Sequence, residues 1–152
     1  MSGVQIQIDD SELLKMIGRL DSFADGLIDE VGYSMAGLGE SQTRRRLAEE
    51  KTAPDGEPWA PWSPGYARTR RRGQSLLQAG GDLIDSIASD YAGGEAYWGS
   101  NLVYAAIHQA GGDSSMAPGP AGIPERPYLG ISDENREEIY ETLQPLFEER
   151  LQ

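Results

Sequence analysis

The apolar positions at the start of the chain alternate. Val4, Ile6 and Ile8 are separated by single polar residues, the period of a strand with one buried face. From residue 11 the spacing lengthens to three and four. Leu13, Ile17, Leu20, Ala24, Leu27, Val31, Met35 and Leu38 fall on one stripe, which predicts a helix from about 11 to 50 with Asp10 or Ser11 as its cap. Gly32, Gly37 and Gly39 interrupt its middle. Each glycine costs a helix about 1 kcal/mol relative to alanine, so the pattern predicts a bend there, or two helical pieces. The stripe itself reads as a face buried on a sheet.

Periodicity then disappears over 52–82, where Pro54, Pro58, Pro61 and Pro64 block both helix and central strand. Trp59 and Trp62 lie in this passage and either pin it to the body of the domain or await a partner. "YARTRRRG" (66–73) reads as an exposed tip that orders on assembly. Period two returns in "SIASDY" (86–91) and "EAYWGS" (95–100), joined by "AGG", the pattern of a β-hairpin. "LVYAAIHQAGG" (102–112) predicts a short helix closed by Gly111 in the left-handed position. Loop follows to about Tyr128. A last helix starts at Ser132, with Asp133 and Glu134 in its first turn and Ile139, Leu143, Leu146, Phe147 and Leu151 along one face. Pro145 should kink or shorten it. The expected fold is α+β: a small, mostly antiparallel sheet of about four strands, packed against a long N-terminal helix and a C-terminal helix, with long loops at about 52–82 and 112–127.

Composition narrows this to one domain over 1–152. A chain of about 150 residues buries roughly 70% of its unfolded surface. The 19 glycines and nine prolines exceed the usual combined share of about 12%, which suits a core carrying long loops. There is no cysteine, so disulfides and thiolate metal sites are excluded. Neither a signal peptide nor a membrane-length apolar run is visible, which predicts a soluble protein made in a cytoplasm. Net charge is −12, but unevenly spread. Eight basic residues (Arg44, Arg45, Arg46, Lys51, Arg68, Arg70, Arg71, Arg72) face only four acids between 44 and 72. A basic segment on an acidic body suits head-to-tail self-association or docking between unlike rings; a basic solvated loop is the plainer reading.

Chemistry is scarce. His108 is the only histidine, so a triad or a metal site would have to be built around it. No serine lies in a Gly-x-Ser-x-Gly turn, no phosphate-binding loop is present, and the acids lack ligand spacing. The expectation is no enzyme and no cofactor. Sequence-specific nucleic-acid binding would call for a whole basic face, which the acidic body denies.

Four motifs occur in order: "DGEPWAPWSPGYAR" (55–68), "LLQAGGDLIDSI" (76–87), "YWGSNLVYAAIHQAGG" (97–112) and "IPERPYLGISDENREEI" (123–139). Behind an N-terminal strand and long helix, this series resembles the phage virion morphogenesis or tail completion family of Mu-like phages. The chain has Gly80 where that family usually carries Thr or Ser. The resemblance implies a structural virion protein of the neck, completing the tail and joining it to the DNA-filled head as a homo-oligomeric ring, commonly hexameric. A tail terminator is the first expectation; a head-side adaptor or stopper ring of the connector is the alternative. A small DNA-contacting module using the Arg clusters is the reading from another class. Implied partners are further copies of the chain, the tail tube protein, head–tail connector proteins and passing genomic DNA without sequence specificity, with no membrane. Its place would be the virion, after assembly in the host cytoplasm. Interaction is expected at Trp59, Trp62, Tyr66, Arg68, Arg70, Arg71, Arg72, Arg126 and Tyr128. His108, Gly111 and Gly112 are expected to form a structural turn, with the imidazole hydrogen-bonded to a carbonyl or carboxylate.

Overall fold

The long apolar stripe produces a single helix, α1 (Ser11–Arg45), about 52 Å long at 1.5 Å per residue. A computed structural model describes residues 11–113, 115 and 122–152; the strand expected at 4–8 lies outside them. After α1 come a π-helical turn at Arg46–Glu50, α2 (Pro64–Ala67), α3 (Asp82–Ser86), β1 (Ala88–Ala92), β2 (Glu95–Gly99), α4 (Ala105–Ala110) and α5 (Asp133–Leu151).

The break expected in α1 is absent, and the glycines explain why. Gly32 and Gly39 are buried beneath the hairpin, where a Cβ would overlap the Tyr91 ring at the first and the Trp98 ring at the second. Their cost in helix propensity is offset by close seating of two aromatic rings. Gly37 faces open space.

β1 and β2 pair antiparallel with Asp90 opposite Tyr97. Gly93 and Gly94 turn the chain between them, both at positive φ (61° and 79°), as a two-residue hairpin turn of matching twist requires. Tyr91 and Trp98 point to α1, while Asp90, Glu95 and Tyr97 face solvent. Among the described residues the sheet has two strands, not the four expected. The passages that flank the core carry Pro54, Pro58, Pro61, Pro124 and Pro127, which lack the amide a ladder needs. Side chains hold these passages instead.

α5 starts with a reciprocal cap: Ser132 Oγ accepts from the Asn135 amide at 3.1 Å, and the Ser132 amide donates to Asn135 Oδ1 at 3.2 Å. Asn135, Ile139 and Leu143 are buried. Arg46 meets Asn135 near one end and Arg150 meets Glu30 near the other, so α5 lies antiparallel along α1. The helix continues past Pro145 to Leu151. Pro145 is exposed, so the carbonyl it leaves without an amide donor is open to solvent. The core, formed by Leu47, Trp59, Leu83, Ile87, Ala105 and Tyr128, sits at the C-terminal end of α1.

Candidate assembly interface

The surface is positioned by a polar clamp at the end of α1. Arg46 is fully buried. Its Nη1 donates to the carbonyls of Tyr128 and Gly130, both at 3.0 Å, and its Nη2 to Asn135 Oδ1 at 2.6 Å. One planar fork thus ties α1, the 126–130 passage and the cap of α5. Burial lowers the Arg46 pKa, partly countered by the nearby Glu50 carboxylate. Beside it, Gln42 Nε2 donates to the Asn135 carbonyl and to Glu138 Oε2. Arg45 grips Glu138 with two bonds of 3.2 and 2.9 Å; that contact, then the one from Gln42, holds the Glu138 carboxyl below its ordinary range. Arg44 donates to the Ile87 carbonyl. Lys51, in left-handed backbone at φ 56°, turns its ammonium onto the carbonyls of Leu47 and Leu76.

Half of the basic segment is therefore engaged within the chain, though only Arg46 is buried. Arg44, Arg45, Arg46 and Lys51 fasten the fold. What projects is a shelf of four arginines, Arg68, Arg70, Arg71 and Arg72. Its base is α2, whose start Ser63 caps by accepting from the Tyr66 amide. Trp62 meets Tyr66 edge to face at 6.1 Å, and the Arg70 guanidinium lies 4.0 Å above the Tyr66 ring, a cation–π arrangement. Thr69 binds the Tyr66 carbonyl, and Gln74 receives the Arg71 amide at 2.8 Å. The backbone expected to order on assembly is thus already closed by its own hydrogen bonds; only exposed side chains remain to be fixed.

Between this shelf and α4 lies a cleft of about 900 Å³, with Trp62, Tyr66, Tyr104, His108, Ile123 and Arg126 on its walls. Trp59 and Tyr128, by contrast, are in the core. Trp59 Nε1 donates to the Pro127 carbonyl at 2.9 Å and Tyr128 OH to the Ala105 carbonyl at 2.9 Å. Arg126 is buried as well, bonding the Ala60 carbonyl through Nε and that of Pro61 through Nη2. Of these three, expected at a contact with partners, Trp59 and Arg126 instead join the 59–61 passage to 126–128, and Tyr128 ties that passage to α4, because irregular chain needs such cross-links where a ladder is missing.

Among the described residues, no hydrogen bond of the kind expected reaches the imidazole of His108. Its ring packs edge to face on Tyr104 at 5.8 Å, and Nδ1 is buried without a partner among the described residues. Burial, then the charge of Arg126, lowers its pKa. The bracing falls to its neighbour. Gln109 Oε1 accepts from the amides of Tyr128 and Leu129, and its Nε2 donates to the Leu129 carbonyl. Gly111 has positive φ (77°) as expected, but with ψ 172° in place of the left-handed helical cap, a conformation open in practice to glycine alone; a Cβ there would stand 2.9 Å from the Glu125 amide. Gly112 exchanges two backbone bonds with Ile123 and so ties the end of α4 to the passage that leads to Tyr128.

Sequence reasoning missed Arg46, Gln42 and Gln109. A signal existed for two of them: Leu38, Gln42 and Arg46 continue the apolar stripe at spacings of four, which places polar groups on a buried face. Among the described residues no group of three or more His, Asp or Glu is placed to hold a metal ion, and no helix is long and apolar enough to cross a membrane.

The sequence profile of the phage virion morphogenesis family matches residues 8–148. The chain belongs to this family. It is 37% identical over 113 residues to "Putative capsid assembly protein G" of Escherichia phage Mu, covering 72% of each chain. It is 35% identical over 85 residues to G protein 2 of the Mu-like prophage FluMu in Haemophilus influenzae, covering 56% of this chain and 61% of that one. No solved structure matches. Membership gives the chain a structural role in building phage particles. The matched span takes in α1, the hairpin, the cleft and nearly all of α5.

Proposed function

We propose that this virion morphogenesis protein works in the phage neck, as a homo-oligomeric ring that completes the tail and joins it to the filled head. Tail terminator is the level we assign it, and a hexamer the state. The observation that carries this is a divided surface on a family member: an arginine shelf on one side, an acidic outward helix on another. A subunit with unlike patches associates heterologously, each copy presenting one surface to a different surface of the next. The tail tube and connector proteins would meet the faces left free by the ring. Genomic DNA would pass without being gripped, since the net charge of −12 repels it. The matched protein of phage Mu carries capsid assembly in its name, which favours a head-side adaptor or stopper as the second reading.

Particles assembled without this chain test the proposal. The neck reading expects filled heads and complete but unjoined tails by electron microscopy, and a ring at the junction once the chain is supplied. Heads that fail to form shells would overturn it. Electrophoretic retardation of duplex DNA at physiological salt should be negligible; strong retardation would favour the DNA-contacting module.

A further inference from the structure

The outward face of α5 is built unlike the rest of the surface. Tyr140 and Phe147, seven residues apart, are 61% and 44% exposed; Phe147 stands at the edge of this face, where it also lines the groove against α1 and the hairpin. Helical spacing puts Glu137, Glu141 and Glu148 on the same face, all exposed. Arg136, one turn before Tyr140 and on the same side of the helix, is bound to Asp133 at 3.2 Å, and Arg150 to Glu30 at 2.9 Å. Two rings therefore stand beside carboxylates, and the nearby arginines, Arg136 and Arg150, are each already held by a carboxylate of the same chain.

The cleft beside α2 is its complement. Its walls carry Trp62, Tyr66 and Tyr104, and the adjoining shelf carries Arg68, Arg70, Arg71 and Arg72. No residue of α5 lines it, so the two surfaces are separate on one chain. A cleft of about 900 Å³ is at the upper end of sites that enclose a drug-sized ligand, ample for a ring from a docked helix.

We propose that the arginine shelf and its cleft receive the outward face of α5 from a second copy of this chain. The mode is helix-in-groove, with Tyr140 and Phe147 as anchors and Glu137, Glu141 and Glu148 facing the arginines. Because the two surfaces differ, each copy keeps one free after pairing, and the contact repeats head to tail until it closes. This rests on the ring reading above and supplies its subunit contact. The match of rings to an aromatic cleft and of carboxylates to arginines is what selects a second copy.

Charge reversal tests it on the full chain, with sedimentation velocity reading self-association and circular dichroism reading the fold. R70E/R71E/R72E and E137K/E141K/E148K should each weaken self-association roughly tenfold or more, from several lost and reversed ion pairs. Both sets combined in one chain should restore most of the loss. Y140A/F147A should weaken association in both low and high salt. A wild-type chain that stays monomeric, a shelf reversal without effect, or a combined variant as weak as either parent would each overturn the contact. Particle formation scored in parallel separates the two ideas. A chain that rescues particles while remaining dissociated overturns the contact alone. One that self-associates as described yet is dispensable for particles overturns the assembly role alone.

Discussion

Arg46 is where three parts of the chain converge, and its replacement should be costly out of proportion to its single charge. Arg46→Met removes the donors of two carbonyls and of the Asn135 side chain, in a site without water to replace them. Breaking such a buried network costs about 3 kcal/mol or more, read as a lower urea midpoint. Arg46→Lys should recover little, because an ammonium cannot reproduce the planar fork. His108 acts differently. Its folded pKa lies below the ordinary value near 6.5, so as pH falls the unfolded chain takes the proton first. Stability should decline from about pH 6.5 downward, until the native imidazole is protonated too. His108→Gln should flatten that part of a melting-temperature curve measured between about pH 7.5 and 5.5; an unchanged slope would remove His108 as its source. Neither role was legible in residue type alone. Arginine in a run of three reads as surface charge, and only the register of the α1 stripe hinted that Arg46 turns inward.

At the scale of elements, helices were read more truly than strands. α1, α5 and the hairpin follow directly from periods of 3.6 and two, and Ser132 from its position before two acids. The glycines of α1 mattered for the opposite reason to the one propensity suggests. Gly32→Ala and Gly39→Ala should destabilise the fold by about 1–3 kcal/mol, as overpacking does, because Tyr91 or Trp98 must lift away. Gly37→Ala, facing open space, should be neutral or stabilise by up to about 1 kcal/mol. Thermal melts of the three variants decide it, and equal effects at all three would refute the ring-seating account. Proline-rich passages that cannot ladder are held by Trp59, Arg126 and Gln109, contacts between residues far apart in sequence with no periodic trace.

Across the whole molecule, charge separates an arginine shelf from an acidic outward helix, the two surfaces proposed to meet in neighbouring copies. Raising salt from about 0.1 M to 1 M shortens the screening length from about 10 to 3 Å, so self-association through the arginine shelf should weaken over that range; strengthening would point to an apolar contact instead. The sequence by itself determined the helices, the hairpin, the family and the uneven charge, because each is written in local period, motif order or composition. Only the tertiary structure decided which charges are free. Arg44, Arg45, Arg46 and Lys51 look no different in the sequence from Arg68, Arg70, Arg71 and Arg72. The first four are consumed because α1 ends against carbonyls and carboxylates brought there by 126–138 and other distant segments, while the second four stand on a short shelf where, among the described residues, none is paired with a carboxylate and Arg70 rests on the Tyr66 ring. Burial is a property of what folding sets alongside a residue, and no reading of neighbours along the chain supplies it.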